Sequence, residues 1–79
     1  MNIKVKLLTT FKKYGEGKIS ENGTIPLPKG STLRDVLKYF DIPLDMPKVL
    51  LVNKDDQQNL DHEVNDGDEV VVFSFICGG

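Results

Sequence analysis

The segment that most constrains the fold is EVVVFSFI, residues 69–76, because its eight residues are rich in β-branched and aromatic side chains. Such a run predicts a β-strand. Side chains alternate between the two faces of a strand, so Phe73 and Phe75 are expected on one face and Val72 and Ser74 on the other. The chain therefore needs a sheet around this strand, and we expect some apolar surface near its end to remain accessible to a partner.

The first third of the chain predicts two more strands joined by a loop. Residues 3–8, IKVKLL, alternate apolar and basic side chains, which is typical of a half-buried strand. Residues 9–23 are rich in Gly, Lys, Ser and Asn and predict a loop or a loose hairpin. Residues 24–28, TIPLP, predict a short strand whose two prolines lack backbone donors and suit the edge of a sheet.

A single helix is predicted after Gly30. Thr32 and Asp35 resemble a capping box, and the Asp35 carboxylate also suits the positive end of a helix. The apolar residues that follow recur at the spacing of one helix face: Leu33, Val36, Leu37 and Phe40. Pro43 predicts that the helix ends near Asp41, because proline disfavours helical geometry in the residue before it and cannot continue the hydrogen-bond ladder.

The second half of the chain predicts strands and turns. Residues 48–53, KVLLVN, form a nearly continuous apolar run and predict a buried strand. Residues 53–59, NKDDQQN, predict a turn, Leu60 the start of a very short strand, and residues 65–68, NDGD, another turn. The third strand and the last strand are the most apolar, so we expect them at the centre. Together these elements predict an α+β domain in which one helix covers one face of a mixed sheet.

Length and composition indicate one ordinary globular domain. Seventy-nine residues suffice for one core, and 39% hydrophobic with 28% charged residues is typical of a folded protein. The net charge of −2, with Arg34 as the single arginine, argues against a nucleic-acid partner. No apolar run approaches the roughly 20 residues that span a bilayer, and the N-terminus lacks the apolar block of a signal peptide. We therefore expect a cytoplasmic protein with no membrane partner.

The chain has one cysteine, Cys77, and one histidine, His62. A single cysteine excludes an internal disulfide and fits a reducing compartment. One Cys and one His are too few for a structural zinc site, which uses four such ligands. The sequence therefore predicts no bound metal.

The last two residues, Gly78 and Gly79, have chemical consequences. Glycine has no Cβ, so a Gly-Gly end can enter a channel that is too narrow for other side chains. A carboxylate on such a stalk is inert toward nucleophiles until it is activated, and an enzyme that adenylates it with ATP must enclose the last residues. The tail therefore suits activation of the Gly79 carboxylate by a partner, although a terminal Gly-Gly pair also arises by chance in roughly one chain in 200.

Four stretches carry a family resemblance: IKVKLLTTFKKYG, IPLPKGSTLRDVLKYFDIP, VLLVN and LDHEVNDGDEVVVFSFICGG. Over essentially all of residues 1–79 the chain resembles the ubiquitin-like β-grasp sulfur carriers, the family of MoaD and ThiS. The most specific stretch is NDGDEV with the strand and the Gly-Gly end that follow it. The resemblance implies a β-grasp domain over residues 1–76, with a mixed four- to five-stranded sheet packed on one helix, and a flexible tail over residues 77–79.

The resemblance also implies a mechanism. An E1-like adenylyltransferase adenylates Gly79 with ATP and magnesium, and a persulfide or sulfide then displaces AMP. The resulting thiocarboxylate gives its sulfur to a sulfur-accepting synthase subunit. On this interpretation the chain is a carrier and not an enzyme, and it binds no cofactor itself. Gly79 carries the sulfur, and Gly78 gives the tail its reach and narrowness.

Three residues near the tail are predicted to contact partners: Phe73, Phe75 and Cys77. For the two phenylalanines, packing within the core and sheet is an equal alternative. For Cys77 the alternative is a small residue with no role. The functional hypothesis for Cys77 is thiol exchange with a persulfide or cysteine of an enzyme during sulfur transfer.

Several functions are consistent with this tail. Molybdopterin-type carriers commonly have an aromatic residue followed by two prolines before the glycines, and residues 73–76 lack those prolines, which favours a thiamine-type carrier. The chain length favours the molybdopterin type, because thiamine-type carriers are usually shorter. A tungsten-cofactor pathway is also open. Outside sulfur transfer, Gly79 could be joined to target lysines by a ubiquitin-like modifier, or the glycines could be incidental to an interaction module.

Overall fold

The computed structural model describes residues 1–46 and 48–74. No helix in this part of the chain is long and apolar enough to cross a membrane. In chain order the elements are β1 (Asn2–Leu7), a 3₁₀ helix (Thr9–Gly15), β2 (Thr24–Pro26), α1 (Leu33–Tyr39), β3 (Val49–Val52), β4 (Asp55–Asp56) and β5 (Glu69–Phe73).

The last strand, β5, lies at the centre of the sheet, whose strand order is β2-β1-β5-β3-β4. It pairs in parallel with β1, where Leu7 lies opposite Val72, and antiparallel with β3, where Val49 lies opposite Phe73. The two outer pairs, β1 with β2 and β3 with β4, are antiparallel. The structure confirms the predicted mixed sheet, the central place of the last strand and the edge position of β2. The third predicted strand, β3, is an interior strand beside β5.

Burial alternates along the central strands, so the sheet has one covered face and one open face. In β5 the side chains of Val70 and Val72 are fully buried, whereas Val71 and Phe73 are half-buried. The predicted apolar stripe of the helix lies in the same core cluster and is at most 1% exposed at each position: Leu33, Val36, Leu37 and Phe40. The helix and the covered face of the sheet therefore form one core.

The predicted cap of α1 is confirmed. The Asp35 carboxylate accepts a hydrogen bond from the backbone N–H of Thr32 at 2.9 Å and another from the Thr32 hydroxyl at 3.3 Å. The helix ends at Tyr39, close to the predicted end, and Asp41 has a φ of 58°, which no α-helix continues through. A helix of only two turns depends on such end contacts and on its buried face.

The predicted loop over residues 9–23 contains the 3₁₀ helix, which its polar composition does not indicate. Phe11 is the reason for this order, since its side chain is 1% exposed and belongs to the core. Gly15, at the end of the 3₁₀ helix, is also buried, and a Cβ there would lie 2.9 Å from Ile19 Cδ1 and 3.0 Å from Leu7 Cδ1. The segment therefore packs closely against β1.

The predicted strand at Leu60 is wrong, and the additional strand is β4, within the predicted turn at 53–59. Asn53 and Lys54 both have positive φ, 51° and 76°, as the central residues of a two-residue type I′ hairpin do. The chain therefore reverses directly after β3. Leu60 is instead a half-buried residue that packs against the core.

The described part of β5 ends at Phe73, before the predicted end at residue 76. The backbone N–H of Ser74 donates to Thr9 Oγ1 at 2.8 Å, so a side chain takes the donor that would extend the ladder. The remainder of the predicted strand, residues 75–76, and the predicted tail, residues 77–79, lie outside the described residues.

The capping contact predicts a measurable loss of stability. Replacing Asp35 with alanine removes the acceptor for Thr32, so we expect D35A to lower the free energy of unfolding by about 1 kcal/mol. The control is D61A, which removes the exposed ion pair with Arg34, 3.1 Å long, and should cost less than about 0.5 kcal/mol. Urea unfolding measures both, and equal losses for the two variants would contradict the prediction.

Candidate functional site

The open face of the sheet is apolar at one end. We call this surface the apolar end, and it consists of Leu8, Val49, Leu51, Val71 and Phe73. The register of β3 and β5 places Val49 opposite Phe73 and Leu51 opposite Val71, and side chains directly opposite each other share a face. These four side chains are half-buried. Part of their apolar surface therefore stays in contact with water.

Leu8 extends the apolar end onto the neighbouring strand. It follows Leu7, which lies opposite Val72, and its backbone N–H donates to the Val72 carbonyl oxygen at 2.9 Å. This position places Leu8 beside Phe73. Leu8 is 40% exposed, more than any other large hydrophobic residue in the described part of the chain. Grouped apolar side chains that remain accessible are typical of an interaction site.

The open face also carries charged residues. Lys4 and Lys6 lie on the exposed side of β1, Lys4 lies opposite Glu69, and Lys6 Nζ is 3.9 Å from Glu69 Oε2. At the other edge of the sheet, Asp56 lies opposite Leu51. A partner that covers the apolar end therefore meets lysines on one side and a carboxylate on the other. Such a charge pattern favours one docking orientation over its reverse.

Lys48 lies directly before β3, at the same end of the sheet. Its ammonium donates hydrogen bonds to the carbonyl oxygens of Leu44, at 3.1 Å, and Met46. Burial lowers the pKa of Lys48 below its ordinary value of 10.5, and the negative charge of Asp45 opposes that shift. These contacts join Lys48 to two residues of the segment that follows the helix.

Of the predicted partner-contacting residues, the structure describes Phe73, which lies at the apolar end and outside the core cluster. Phe75 and Cys77 lie outside the described residues, as do Gly78 and Gly79. The roles predicted for these five residues therefore stay predictions.

Sequence reasoning missed Leu8 and Val49, the two residues that flank Phe73, and it also missed Leu51 and Val71. A local signal exists for each, because Leu8 continues the period-two pattern of β1 and Val49 lies within the predicted strand at 48–53. Neither pattern shows that the two residues lie on either side of Phe73. That arrangement arises from the pairing of β5 with two strands that are distant in sequence.

The described residues include no second group of accessible apolar side chains around an exposed large hydrophobic residue. They bring together no three His, Cys, Asp or Glu side chains in a metal-binding arrangement. His62 is half-buried, and the side-chain nitrogen of Gln57 lies 3.2 Å from His62 Nδ1. A groove beside α1, lined by Lys29, Lys38 and Tyr39 among others, lies beyond the opposite end of β1. The candidate site in the described part of the chain is therefore the apolar end.

The comparisons with known proteins identify the family and the fold of the chain. The sequence pattern of the ThiS family matches residues 11–79. The chain belongs to the ThiS family. This membership confirms the resemblance found in the sequence, and the match includes both the helix and the terminal glycines. No curated protein sequence matches the chain significantly.

Two solved structures share the fold. A crystal structure of SAMP1 from Haloferax volcanii superposes with a TM-score of 0.70 at 18% identity and covers 100% of both chains. A putative molybdopterin converting factor, subunit 1, from Pyrococcus furiosus gives a TM-score of 0.72 at 24% identity, over 94% of this chain and 97% of that one. The ThiS-family chain therefore has the ubiquitin-like β-grasp fold predicted from its sequence.

Proposed function

We propose that this ThiS-family chain is a sulfur carrier: its Gly79 carboxylate becomes a thiocarboxylate that donates sulfur in cofactor biosynthesis. The observation that carries the proposal is the position of the apolar end, which surrounds Phe73 where β5 leads toward Gly78 and Gly79. Family membership supports the same role. Docking at a surface beside the reactive end holds the carboxylate in the partner's site, which lowers the entropic cost of the reaction.

The proposed chemistry has two steps. A Gly79 carboxylate oxygen attacks the α-phosphorus of ATP, pyrophosphate leaves, and a mixed anhydride of Gly79 with AMP forms. Sulfide then attacks the Gly79 carbonyl carbon, AMP leaves, and the terminal group becomes –COS⁻. We assign ATP and magnesium to an E1-like adenylyltransferase, where the metal neutralises phosphate charge. The carrier itself contributes the carboxylate and the docking surface, and it is not an enzyme.

The length of the chain after Ser74 links the docking surface to the chemistry. Five residues, 75–79, follow Ser74, and a fully extended segment of that length spans about 17 Å. The partner's adenylation site therefore has to lie within that distance of the bound apolar end. Because Gly78 and Gly79 lack side chains, the last residues can pass through a narrow channel to reach it.

Two recipients of the sulfur are supported by different observations. Likeness over nearly the whole length to the putative molybdopterin converting factor, subunit 1, supports a role like that of the small subunit of molybdopterin synthase, with a sulfur-accepting synthase subunit as partner. The family match supports a thiamine thiazole carrier as the alternative. Incubating the thiocarboxylated chain with each acceptor system distinguishes them, because the true recipient removes sulfur from Gly79.

The proposal predicts that the reacting group must be the terminal carboxylate of Gly79 itself. We expect the wild-type chain, incubated with host extract, ATP and sulfide, to acquire a thiocarboxylate, and a chain extended by one alanine after Gly79 to acquire none. Intact-protein mass spectrometry detects the exchange of one oxygen for one sulfur. C77A is the matched control, and we expect it to react like the wild type because the carboxylate is unchanged.

Three results would contradict parts of this proposal. Equal sulfur gain by the extended chain would exclude activation at Gly79. Loss of the reaction in C77A would show that the Cys77 thiol takes part in the chemistry. Higher-mass conjugates joined through Gly79 to lysines of other proteins, without thiocarboxylate, would favour the ubiquitin-like modifier.

The docking surface predicts a second effect. In L8D, a carboxylate replaces an apolar contact on the open face, so we expect the rate of thiocarboxylate formation at low carrier concentration to fall at least tenfold. The control is P26D, because Pro26 is an exposed residue of β2 near the opposite end of β1. Thermal unfolding of both variants checks that the fold is kept. Equal rates for L8D and P26D would exclude the apolar end as the docking surface.

A further inference from the structure

The contact between Thr9 and Ser74 joins the start of the 3₁₀ helix to the residue that follows β5. Thr9 Oγ1 accepts a hydrogen bond from the Ser74 backbone N–H at 2.8 Å and donates its own proton to the Leu8 carbonyl oxygen at 2.6 Å. Sixty-five positions separate the two residues in sequence. The Thr9 hydroxyl therefore links Ser74, the last described residue, to Leu8 of the apolar end.

Thr9 is held in a conformation that a β-branched residue rarely adopts. Its φ is 54°, in the left-handed region. Asp41, Asn53 and Lys54 also have positive φ, but none of them is β-branched. Glycine at position 9 would relieve the strain but would supply no hydroxyl. Residues held in sparsely populated conformations often serve a function that outweighs the strain.

We propose that Thr9 is a positioning residue for the reaction at Gly79. Its hydroxyl fixes the point from which residues 75–79 extend, so the distance between the apolar end and the carboxylate stays within the range that a partner's site requires. This inference rests on the proposed function of Gly79. Without the hydrogen bond, Ser74 is held less tightly beside β1, although the Leu8 N–H still donates to the Val72 carbonyl oxygen. A partner must then order more chain on binding, which weakens binding without changing the bound geometry.

Three substitutions at position 9 separate the hydroxyl from the strain. T9V keeps the β-branched shape and the strain but removes the hydroxyl, T9S keeps a hydroxyl, and T9G removes both the hydroxyl and the strain. If position 9 acted through its backbone conformation alone, T9G would be expected to match the wild type, because glycine adopts positive φ without strain. If Thr9 is a positioning residue, only T9S is expected to match the wild type, because serine keeps the hydroxyl.

The first readout is amide hydrogen exchange measured by NMR, which needs no partner. We expect the Ser74 amide to exchange roughly fivefold faster in T9V and T9G than in the wild type and T9S, the effect of losing one net hydrogen bond. The Lys4 amide, which donates to the Asp68 carbonyl at 2.9 Å near the start of β5, is the internal control and should not change. If the Ser74 amide exchanged at the wild-type rate in T9V, the Thr9 hydroxyl would not anchor Ser74.

The second readout is adenylation by the purified adenylyltransferase of the host, followed as pyrophosphate release. We expect T9V and T9G to raise the KM for the carrier roughly fivefold with kcat unchanged, because a uniform binding contribution is lost, and T9S to restore the wild-type KM. Wild-type KM in T9V would overturn the positioning role. If the wild-type chain is not adenylated at all, the proposed function of Gly79 fails and the positioning role falls with it, while hydrogen exchange still decides whether the anchor exists.

Discussion

The parallel pair of β1 and β5 brings the two ends of the described chain together, and the other elements are arranged around it. The NDGD turn before β5 holds the pair in register. The backbone N–H of Asn2 donates to Asp66 Oδ1 at 2.7 Å, and the N–H of Gly67 donates to the Asn2 carbonyl oxygen at 2.9 Å. Gly67 has a φ of 86°, which the turn requires and glycine adopts without strain. A parallel pair needs a crossover between its strands, and the crossover here carries α1 over one face and leaves the other open.

The same register determines what the open face presents. A shift of one residue would exchange the faces of the whole strand, placing Phe73 in the core and Val72 in water. In the observed register, Phe73 lies between Leu8 and Val49, and the accessible apolar surface is concentrated where β5 leads into the tail. Fold stability and, on the proposed function, partner recognition therefore depend on one strand alignment. On the proposed function, no separate element is then needed to place a docking surface beside the end of β5.

Sequence patterns predicted the parts of the fold whose signals are local. The capping box and the apolar stripe define α1 within ten residues, and the alternation of β1 and the composition of β5 identify both strands. The 3₁₀ helix and β4 were not predictable in this way, because the first depends on burial of Phe11 in a core built by distant strands and the second on positive φ at Asn53 and Lys54. For the candidate site, alternation along β5 placed Phe73 on the face opposite Val72, whereas its neighbours follow from non-local pairing. The chemistry assigned to Gly79 came from the tail and the family resemblance.

The central claim is that Gly79 carries sulfur, and the most direct test is the intact mass of the native chain purified from its own host without a C-terminal tag. The account predicts a fraction of molecules that are heavier by the exchange of one oxygen for one sulfur, with fragmentation placing the change at Gly79. Cells grown under demand for the sulfur-containing cofactor should show the larger fraction. A native chain that carries only the free carboxylate, and that stays unmodified after incubation with host extract, ATP and sulfide, would contradict the account and favour an interaction module.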